Sequence, residues 1–153
     1  MEEGKLSKKD IKIVIAAHKP YRMPEDTMYV PLHVGAEGKK NPDGTPLDLG
    51  YQKDNEGDNI SAKNPYYCEL TGIYYAWKNI PAEYLGLVHY RRYFKGKNKS
   101  KDPFACIVTE QEMEKIFETH RIVVPKKRKY YIETLYSHLS LIHISEPTRL
   151  LSI

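Results

Sequence analysis

The sequence predicts an α/β protein in which strands alternate with helices. Short apolar runs rich in β-branched residues recur, first as IKIVIAAH at residues 11–18 and later as YLGLVHY at 84–90. Between and after these runs, apolar residues are spaced by three and four, which is the helical period. At 153 residues the chain is long enough for one domain with a buried core. Such alternation is typical of a sheet covered by helices.

The first predicted strand, over residues 11–18, follows a polar leader at 1–10 that we expect to be disordered. A loop with two prolines then leads to a second, weaker strand signal over residues 28–36. Within it, Pro31 favours an edge position or an irregular extended segment. Residues 37–57 are rich in Gly, Pro, Asp and Asn and lack an apolar period, so they predict a long loop.

The clearest helical pattern lies within residues 58–78. Asn64 is the expected N-cap, Pro65 suits the first helical position, and Asn79 closes the helix. We expect an apolar stripe of this helix to face the core. The stripe consists of Tyr67, Leu70, Tyr74 and Trp77.

The second half of the chain continues the alternation. Thr109 and Glu112 form the capping-box pattern at the start of a helix whose apolar face includes Met113. The predicted elements are a strand at 84–90, a basic loop at 95–103, a helix at 109–120, a strand at 121–126 and a helix beginning at 131.

The amino-acid composition does not favour a function that depends on a high net charge. The formal net charge is +4, and the basic run PKKRK at 125–129 is expected to be a solvated turn, so we expect no nucleic-acid partner. The two cysteines lack metal-ligand spacing and predict reduced thiols in the cytoplasm. We find neither a signal-peptide pattern nor an apolar run of the roughly 20 residues that cross a bilayer.

A candidate anion site follows the strand at 84–90. His89, Arg91 and Arg92 lie among aromatic residues in HYRRYF, and an arginine fork matches the oxygens of a phosphate. Strand alternation predicts that His89 and Arg91 face one side of the sheet and Arg92 the other. Because clusters of arginine and aromatic residues also build protein interfaces, the residues alone leave both roles open.

Two other segments carry groups suited to an anion. His18 and Lys19 follow the first strand and would share a crevice with HYRR if the two strands are neighbours, although a structural histidine is the alternative. A helix start can bind negative charge through its unpaired N–H groups, although this segment alone favours simple helix capping by Asn64, with the other polar residues facing water. Its candidate residues are Asp58, Asn59, Ser61, Lys63 and Asn64.

The acidic residues do not form the DxD pair that holds a divalent cation in common sugar-nucleotide transferases. HYRR occupies the position where that pair is expected, and Asp54, Glu56 and Asp58 lie in a loop. We therefore assign no cofactor and leave a divalent metal open. The sequence also lacks a glycine-rich phosphate loop, a GxSxG elbow and an HExxH motif.

Five segments together resemble the bacterial family catalogued as domain of unknown function 4422, whose members look like glycosyltransferases of capsular and exopolysaccharide biosynthesis. The resemblance covers about residues 11–138. The segments are AAHKPYRMP, YVPLHVGA, GDNISAKNPYYCELTGIYYAWKN, YLGLVHYRRYF and VVPKKRKYYIETLYSH.

The resemblance implies a glycosyltransferase-A-like, Rossmann-related domain that binds a nucleotide-diphosphate sugar. It implies that His89, Arg91 and Arg92 neutralise the diphosphate leaving group, where many relatives use a metal. The acceptor would be a saccharide or a lipid-linked saccharide, reached by peripheral association with the inner face of the membrane. The alternative is a noncatalytic module that binds phosphate or nucleic acid. The remaining implied donor-site residues are Ala17, His18, Lys19, Asp58, Asn59, Lys63 and Asn64.

The end of the chain has a different origin in our interpretation. Residues 139–149, LSLIHISEPTR, resemble the translated product of a transposase-derived sequencing adapter. We expect residues 139–153 to be non-native and the native gene to continue beyond about His138; a native apolar strand followed by a loop is the alternative. Residues 11–138 would then be the N-terminal part of the transferase domain, and this fragment is expected to be inactive.

Overall fold

The computed structural model describes residues 9–126 of the chain. The chain divides after Ile122 into two compact units, and residues 123–126 are the described part of the second unit. The predicted helix from residue 131 and the tail at 139–153 lie outside the described residues, as do residues 1–8 of the predicted leader. At the start of the described chain, the carbonyl of Asp10 accepts hydrogen bonds from the N–H groups of Glu83 and Tyr84.

A four-stranded parallel sheet forms the centre of the first unit. Its strands are β1 (Ile11–Ala17), β2 (Tyr29–His33), β3 (Gln52–Lys53) and β4 (Tyr84–His89). The spatial order is β3-β2-β1-β4, so the strand order reverses beside β1. The strands predicted at 11–18, 28–36 and 84–90 and the α/β class are confirmed, whereas β3 lies inside the predicted loop.

Pro31 lies in β2 at a position that suits its missing N–H. The short strand β3 pairs only with Leu32 and His33, and its ladder does not extend to Pro31. Pro31 faces Ile15 of β1 on the other side. A proline therefore costs no hydrogen bond to β3, in agreement with the locally open edge that the sequence predicts.

One face of the sheet packs against a helix. Helix α2 (Leu70–Asn79) buries Tyr75 and Ala76 against Val14 and Leu32. Gly72 brings the helix close to β2, because a Cβ at this position would lie 2.8 Å from Cγ1 of Val34. This packing places the beginning of α2 beside the carboxyl ends of the strands.

The opposite face of the sheet is covered by residues around α3 (Glu110–Phe117). The ring of Phe117 stacks on Tyr84 of β4 with centroids 3.9 Å apart, and the Tyr29 hydroxyl donates to the Val108 carbonyl at 2.9 Å. Both halves of the predicted capping box form, since Thr109 and Glu112 each bind the other's backbone N–H. The helix prediction is therefore confirmed.

The helix predicted before β4 is interrupted in the structure. It begins as a 3₁₀ turn at Ser61–Lys63, continues as α1 (Asn64–Tyr67), and breaks at Cys68, whose φ of 48° and ψ of −130° are not helical. Asn64 is the first residue of α1 rather than its N-cap. The break separates Tyr67 from the rest of the predicted stripe, which lies within α2.

The expectation that this stripe faces the core is wrong. Leu70 is 56% exposed and Trp77 is 64% exposed, and neighbouring Tyr66 reaches 87%. The face that α2 buries instead consists of small and polar residues together with one tyrosine. Its buried residues are Thr71, Gly72, Tyr75 and Ala76.

The strand predicted at residues 121–126 is also wrong. These residues adopt no regular secondary structure, and the side chains of Ile122 and Val124 are exposed. A β-branched run favours an extended chain, but a strand also needs a partner for its backbone hydrogen bonds. Within residues 9–126, none of the four strands pairs with this segment.

Candidate functional site

The site lies outside the carboxyl ends of β1 and β4. These two strands pair along their length, with Ala16 opposite His89, and the strand order reverses between them. In open α/β sheets this reversal leaves a crevice in which ligands bind. The fold thus brings the segment that follows β1, including His18 and Lys19, to the same edge as HYRR.

HYRR forms a tight turn rather than a continued strand. Strand β4 ends at His89, and the Arg92 N–H donates to the His89 carbonyl at 2.7 Å. The chain reverses over Tyr90 and Arg91, so strand alternation stops at His89. The prediction that Arg91 and Arg92 face opposite sides of the sheet is therefore wrong: both guanidinium groups are exposed and border one cavity.

That cavity, of about 420 Å³, is lined by Glu69, His89, Arg91 and Arg92, which we call the basic cradle. His89 lies on the sheet face that α2 covers, and its Nε2 is 3.8 Å from Oε1 of Glu69, the residue before α2. The Arg91 N–H donates to Nδ1 of His89 at 3.3 Å. Within the described chain, two arginines against one carboxylate leave the cradle with positive charge for an anion.

Burial lowers the pKa of His89 below its ordinary value, and it outweighs the opposing effect of Glu69. Arg91, Arg92 and His18 lower the pKa further, because each positive charge disfavours a second one nearby. The imidazole is therefore mostly neutral at pH 7. An anion in the cradle would oppose these effects through its negative charge and would raise the pKa of His89.

The residues after β1 approach the cradle through aromatic contacts. The His18 ring meets Tyr90 edge-on with centroids 5.3 Å apart, and the side chains of His18 and Lys19 are exposed. Ala17 is buried, and its carbonyl accepts a hydrogen bond from the Val34 N–H. Ala17 can therefore offer a ligand only its position in the crevice wall.

A second polar cluster, the Asp54 network, lies at the carboxyl end of β2 and is closed. The fully buried carboxylate of Asp54 accepts hydrogen bonds from the Gly35 and Ala36 N–H groups and from the hydroxyls of Ser61 and Thr71, at 2.5 to 3.0 Å. No sequence pattern singled out Asp54 for this role. Its four donors join the loop after β2 to the start of α2.

Asn64 belongs to this closed cluster. Its amide nitrogen donates to the Cys68 carbonyl at 2.8 Å and to the Thr71 hydroxyl at 3.0 Å. It also packs against Gly35, whose φ of +65° and lack of a Cβ are both required there, since a Cβ would lie 2.5 Å from Asn64. Asn64 thus stabilises the loop after β2.

The other candidates from GDNISAKN lie apart from the cradle. Asp58 accepts from the Tyr74 hydroxyl at 3.1 Å and lies 3.8 Å from Lys78, so it sits along α2 towards its C-terminal end. Asn59 closes a local turn with Gly57 and Ser61. Lys63 ends the 3₁₀ turn and is exposed. The structure therefore does not bring Asp58 together with HYRR.

A larger cavity of about 650 Å³, the aromatic cavity, adjoins the basic cradle. Its lining includes Arg91, which also borders the cradle. Tyr90 and Tyr93 belong to the aromatic segment that the sequence singled out, but sequence reasoning missed Tyr21 and Phe104, which come from two other segments of the chain. The residues that define it are Tyr21, Arg22, Tyr90, Arg91, Tyr93 and Phe104.

The part of the chain that the structure describes contains neither a metal-binding cluster nor a membrane-spanning helix. Within residues 9–126, no three His, Cys, Asp or Glu side chains are placed to share a metal ion. No helix in the same range is long and apolar enough to span a bilayer. Both cysteines are free thiols.

Comparison with known proteins identifies the family. Residues 12–152 match the family described as a domain of unknown function, DUF4422. The chain belongs to this family. The matched residues extend into the tail at 139–153, whose adapter origin stays a prediction. No curated protein sequence matches the chain.

A solved structure titled as the apo form of the bifunctional glycosyltransferase WbbM is similar to this DUF4422 chain. The two share 40% sequence identity with a TM-score of 0.51, over 61% of this chain and 16% of the WbbM chain. The chain thus spans only a small part of that transferase. Together with the parallel sheet, this similarity supports a glycosyltransferase-A-like fold.

Proposed function

We propose that this chain provides the donor-binding part of a glycosyltransferase that uses a nucleotide-diphosphate sugar. The basic cradle carries the proposal. It presents two arginines and a histidine at the point where the strand order reverses, the position at which ligands of open α/β sheets bind. The similarity to WbbM supports sugar transfer rather than another use of phosphate.

In such a transfer, the bond between the anomeric carbon and the diphosphate oxygen breaks, and its electron pair leaves with the nucleoside diphosphate. An acceptor hydroxyl forms the new glycosidic bond and gives its proton to a base. Arg91 and Arg92 would stabilise the negative charge that develops on the leaving oxygen. His89 would add a hydrogen bond and, when protonated, a further positive charge.

His18 and Lys19 fit this donor site, because they follow β1 at the same sheet edge. Ala17 would line the crevice. Asp58, Asn59, Lys63 and Asn64 remain donor-site candidates through the family resemblance alone, and Asn64 is bound within the Asp54 network.

The proposal also covers the acceptor, the pathway and the cellular location of the reaction. A saccharide or a lipid-linked saccharide would be the acceptor, in capsular or exopolysaccharide biosynthesis at the cytoplasmic face of the inner membrane. We expect the 153-residue chain to bind donor but not to transfer sugar, because it spans only 16% of the WbbM chain. Measurable transfer by the purified chain would contradict that part.

Donor binding tests the proposal directly. Calorimetry of the purified chain with a panel of nucleotide-diphosphate sugars should find at least one ligand, and Arg92→Ala should weaken it about tenfold because a charge-assisted hydrogen bond is lost. Arg121→Ala, which removes an exposed arginine outside the cradle, is the matched control and should bind normally.

A noncatalytic module that binds phosphate or nucleic acid, which is the alternative, would show different binding. Tight, salt-sensitive binding of DNA or RNA, together with no affinity for any nucleotide-diphosphate sugar, would favour it. Equal donor affinities of the wild-type chain, Arg91→Ala and Arg92→Ala would show that the cradle does not bind the diphosphate.

A further inference from the structure

The aromatic cavity has a wall of aromatic rings that the diphosphate of a donor does not need. Tyr21, from the loop after β1, stacks on Tyr90 with centroids 3.7 Å apart and planes 13° from parallel. Tyr93 and Phe104 meet at 5.9 Å. Flat rings of this kind suit a planar partner, because each offers a π-face.

An ion pair holds two sides of this cavity together. Both guanidinium nitrogens of Arg22 bind the Asp102 carboxylate, at 3.1 and 2.7 Å, and the guanidinium lies 4.4 Å from the centre of the Phe104 ring. These contacts join the loop after β1 to the 3₁₀ turn at Pro103–Cys106. The cavity therefore exists before a ligand arrives, which lowers the entropy cost of binding.

The cavity and the basic cradle adjoin at Arg91, which lines both. We propose that the aromatic cavity binds the nucleoside of the donor while the cradle binds its diphosphate. This inference rests on the proposed function. In a nucleoside diphosphate, the ring system and the phosphates are joined by one short linkage, so their two subsites must be neighbours, as these two cavities are.

Other parts of the substrates fit the aromatic cavity less well. The acceptor contacts the transferred sugar and not the diphosphate, so its subsite need not border the cradle. The transferred sugar does adjoin the diphosphate, but its hydroxyl groups require many polar partners, whereas this lining is mainly apolar and aromatic. A base stacks on such rings whatever its pattern of hydrogen-bond donors and acceptors.

A comparison of two ligands on the wild-type chain tests the inference without any variant. Calorimetry with inorganic pyrophosphate and with a panel of nucleoside diphosphates should show at least one nucleoside diphosphate binding about tenfold more tightly or better. Equal affinities for pyrophosphate and all nucleoside diphosphates would overturn the nucleoside subsite while leaving the cradle in place. Absence of binding by both would overturn the proposed function as well.

A substitution then locates the subsite. Phe104→Leu keeps an apolar side chain and removes the ring, so affinity for the preferred nucleoside diphosphate should fall about tenfold, with less than about a twofold change for pyrophosphate. Tyr66→Ala removes a highly exposed ring outside the cavity and should change neither affinity. Thermal melting of both variants checks folding. Unchanged nucleoside diphosphate affinity in a folded Phe104→Leu protein would overturn the assignment.

Discussion

The Asp54 network and the basic cradle lie at the same edge of the sheet. They differ in how completely other protein groups satisfy their hydrogen bonds and charges. Asp54 is fully buried and accepts four hydrogen bonds from three segments of the chain. Arg91 and Arg92 are exposed and, among residues 9–126, share a cavity with a single carboxylate, that of Glu69. A buried polar group left without a partner costs about 1–3 kcal/mol, so closed networks maintain folds. The open cluster is the one with charge available for a ligand.

Asp54→Ala should have the largest effect on stability. Four donors would lose their acceptor, and we expect the free energy of unfolding to fall by about 3 kcal/mol or more. Urea denaturation measures this loss. Asp48→Ala removes an exposed carboxylate from the preceding loop and is the matched control, with an expected change below about 1 kcal/mol. Equal effects of the two changes would contradict a structural role for the network.

Thr71→Val tests one arm of the same network. The variant keeps the shape of the side chain but removes the donor to Asp54 and the acceptor for the Asn64 amide. We expect a loss of about 1–2 kcal/mol in unfolding free energy, again by urea denaturation. Thr119→Val, at an exposed position after α3, should cost less. An unchanged free energy of unfolding in Thr71→Val would mean that the other donors satisfy the Asp54 carboxylate without the Thr71 hydroxyl.

Ligand binding at the cradle should depend on pH. In the free protein the pKa of His89 lies below its ordinary value of 6.5, so the imidazole is neutral at pH 7. A bound diphosphate raises that pKa, and binding then takes up a proton. Affinity should therefore increase as the pH falls from about 8 to about 6, by at most about tenfold per unit.

His89→Gln separates this effect from titration of the phosphate itself. Calorimetry over the same pH range should show a smaller pH dependence in the variant than in the wild-type chain. An identical dependence in both proteins would exclude His89 as the group that takes up the proton.

Removing the cradle arginines should have the smallest effect on folding. Arg91→Ala and Arg92→Ala each delete an exposed charge from a pair of like charges, so we expect changes in unfolding free energy within about 0.5 kcal/mol. Thermal or urea denaturation gives the value. A loss similar to that of Thr71→Val would indicate that these arginines maintain the turn after β4, and would weaken the contrast between the two clusters.

Local patterns predicted well those elements whose signals lie close together in sequence. The apolar runs of β1 and β4 and the capping box of α3 needed no information from elsewhere in the chain. The stripe from Tyr67 to Trp77 failed because α2 packs on the sheet through Gly72, Tyr75 and Ala76, and helical spacing alone does not determine which face of a helix packs. The strand at 121–126 failed because β propensity does not supply a pairing partner.

The candidate site likewise has features that follow from local sequence and features that depend on tertiary packing. The chemistry of HYRR was evident from its residue types, and its position at a strand end followed from the apolar run before it. Glu69 was missed because its contact with His89 joins residues 20 positions apart through the packing of α2 on the sheet. The ring partners Tyr21 and Tyr90, which come from loops after different strands, were likewise not visible as a pair.

The sequence by itself determined the alternation of strands and helices, the family, and the cationic and aromatic character of the segment after β4, because each depends on neighbouring residues. Only the tertiary structure decided that the strand order reverses between β1 and β4 and that both arginines line one cradle. It also decided that Asp54 is enclosed while Arg91 remains open. These outcomes depend on which distant segments pack together, and local propensities do not specify that packing.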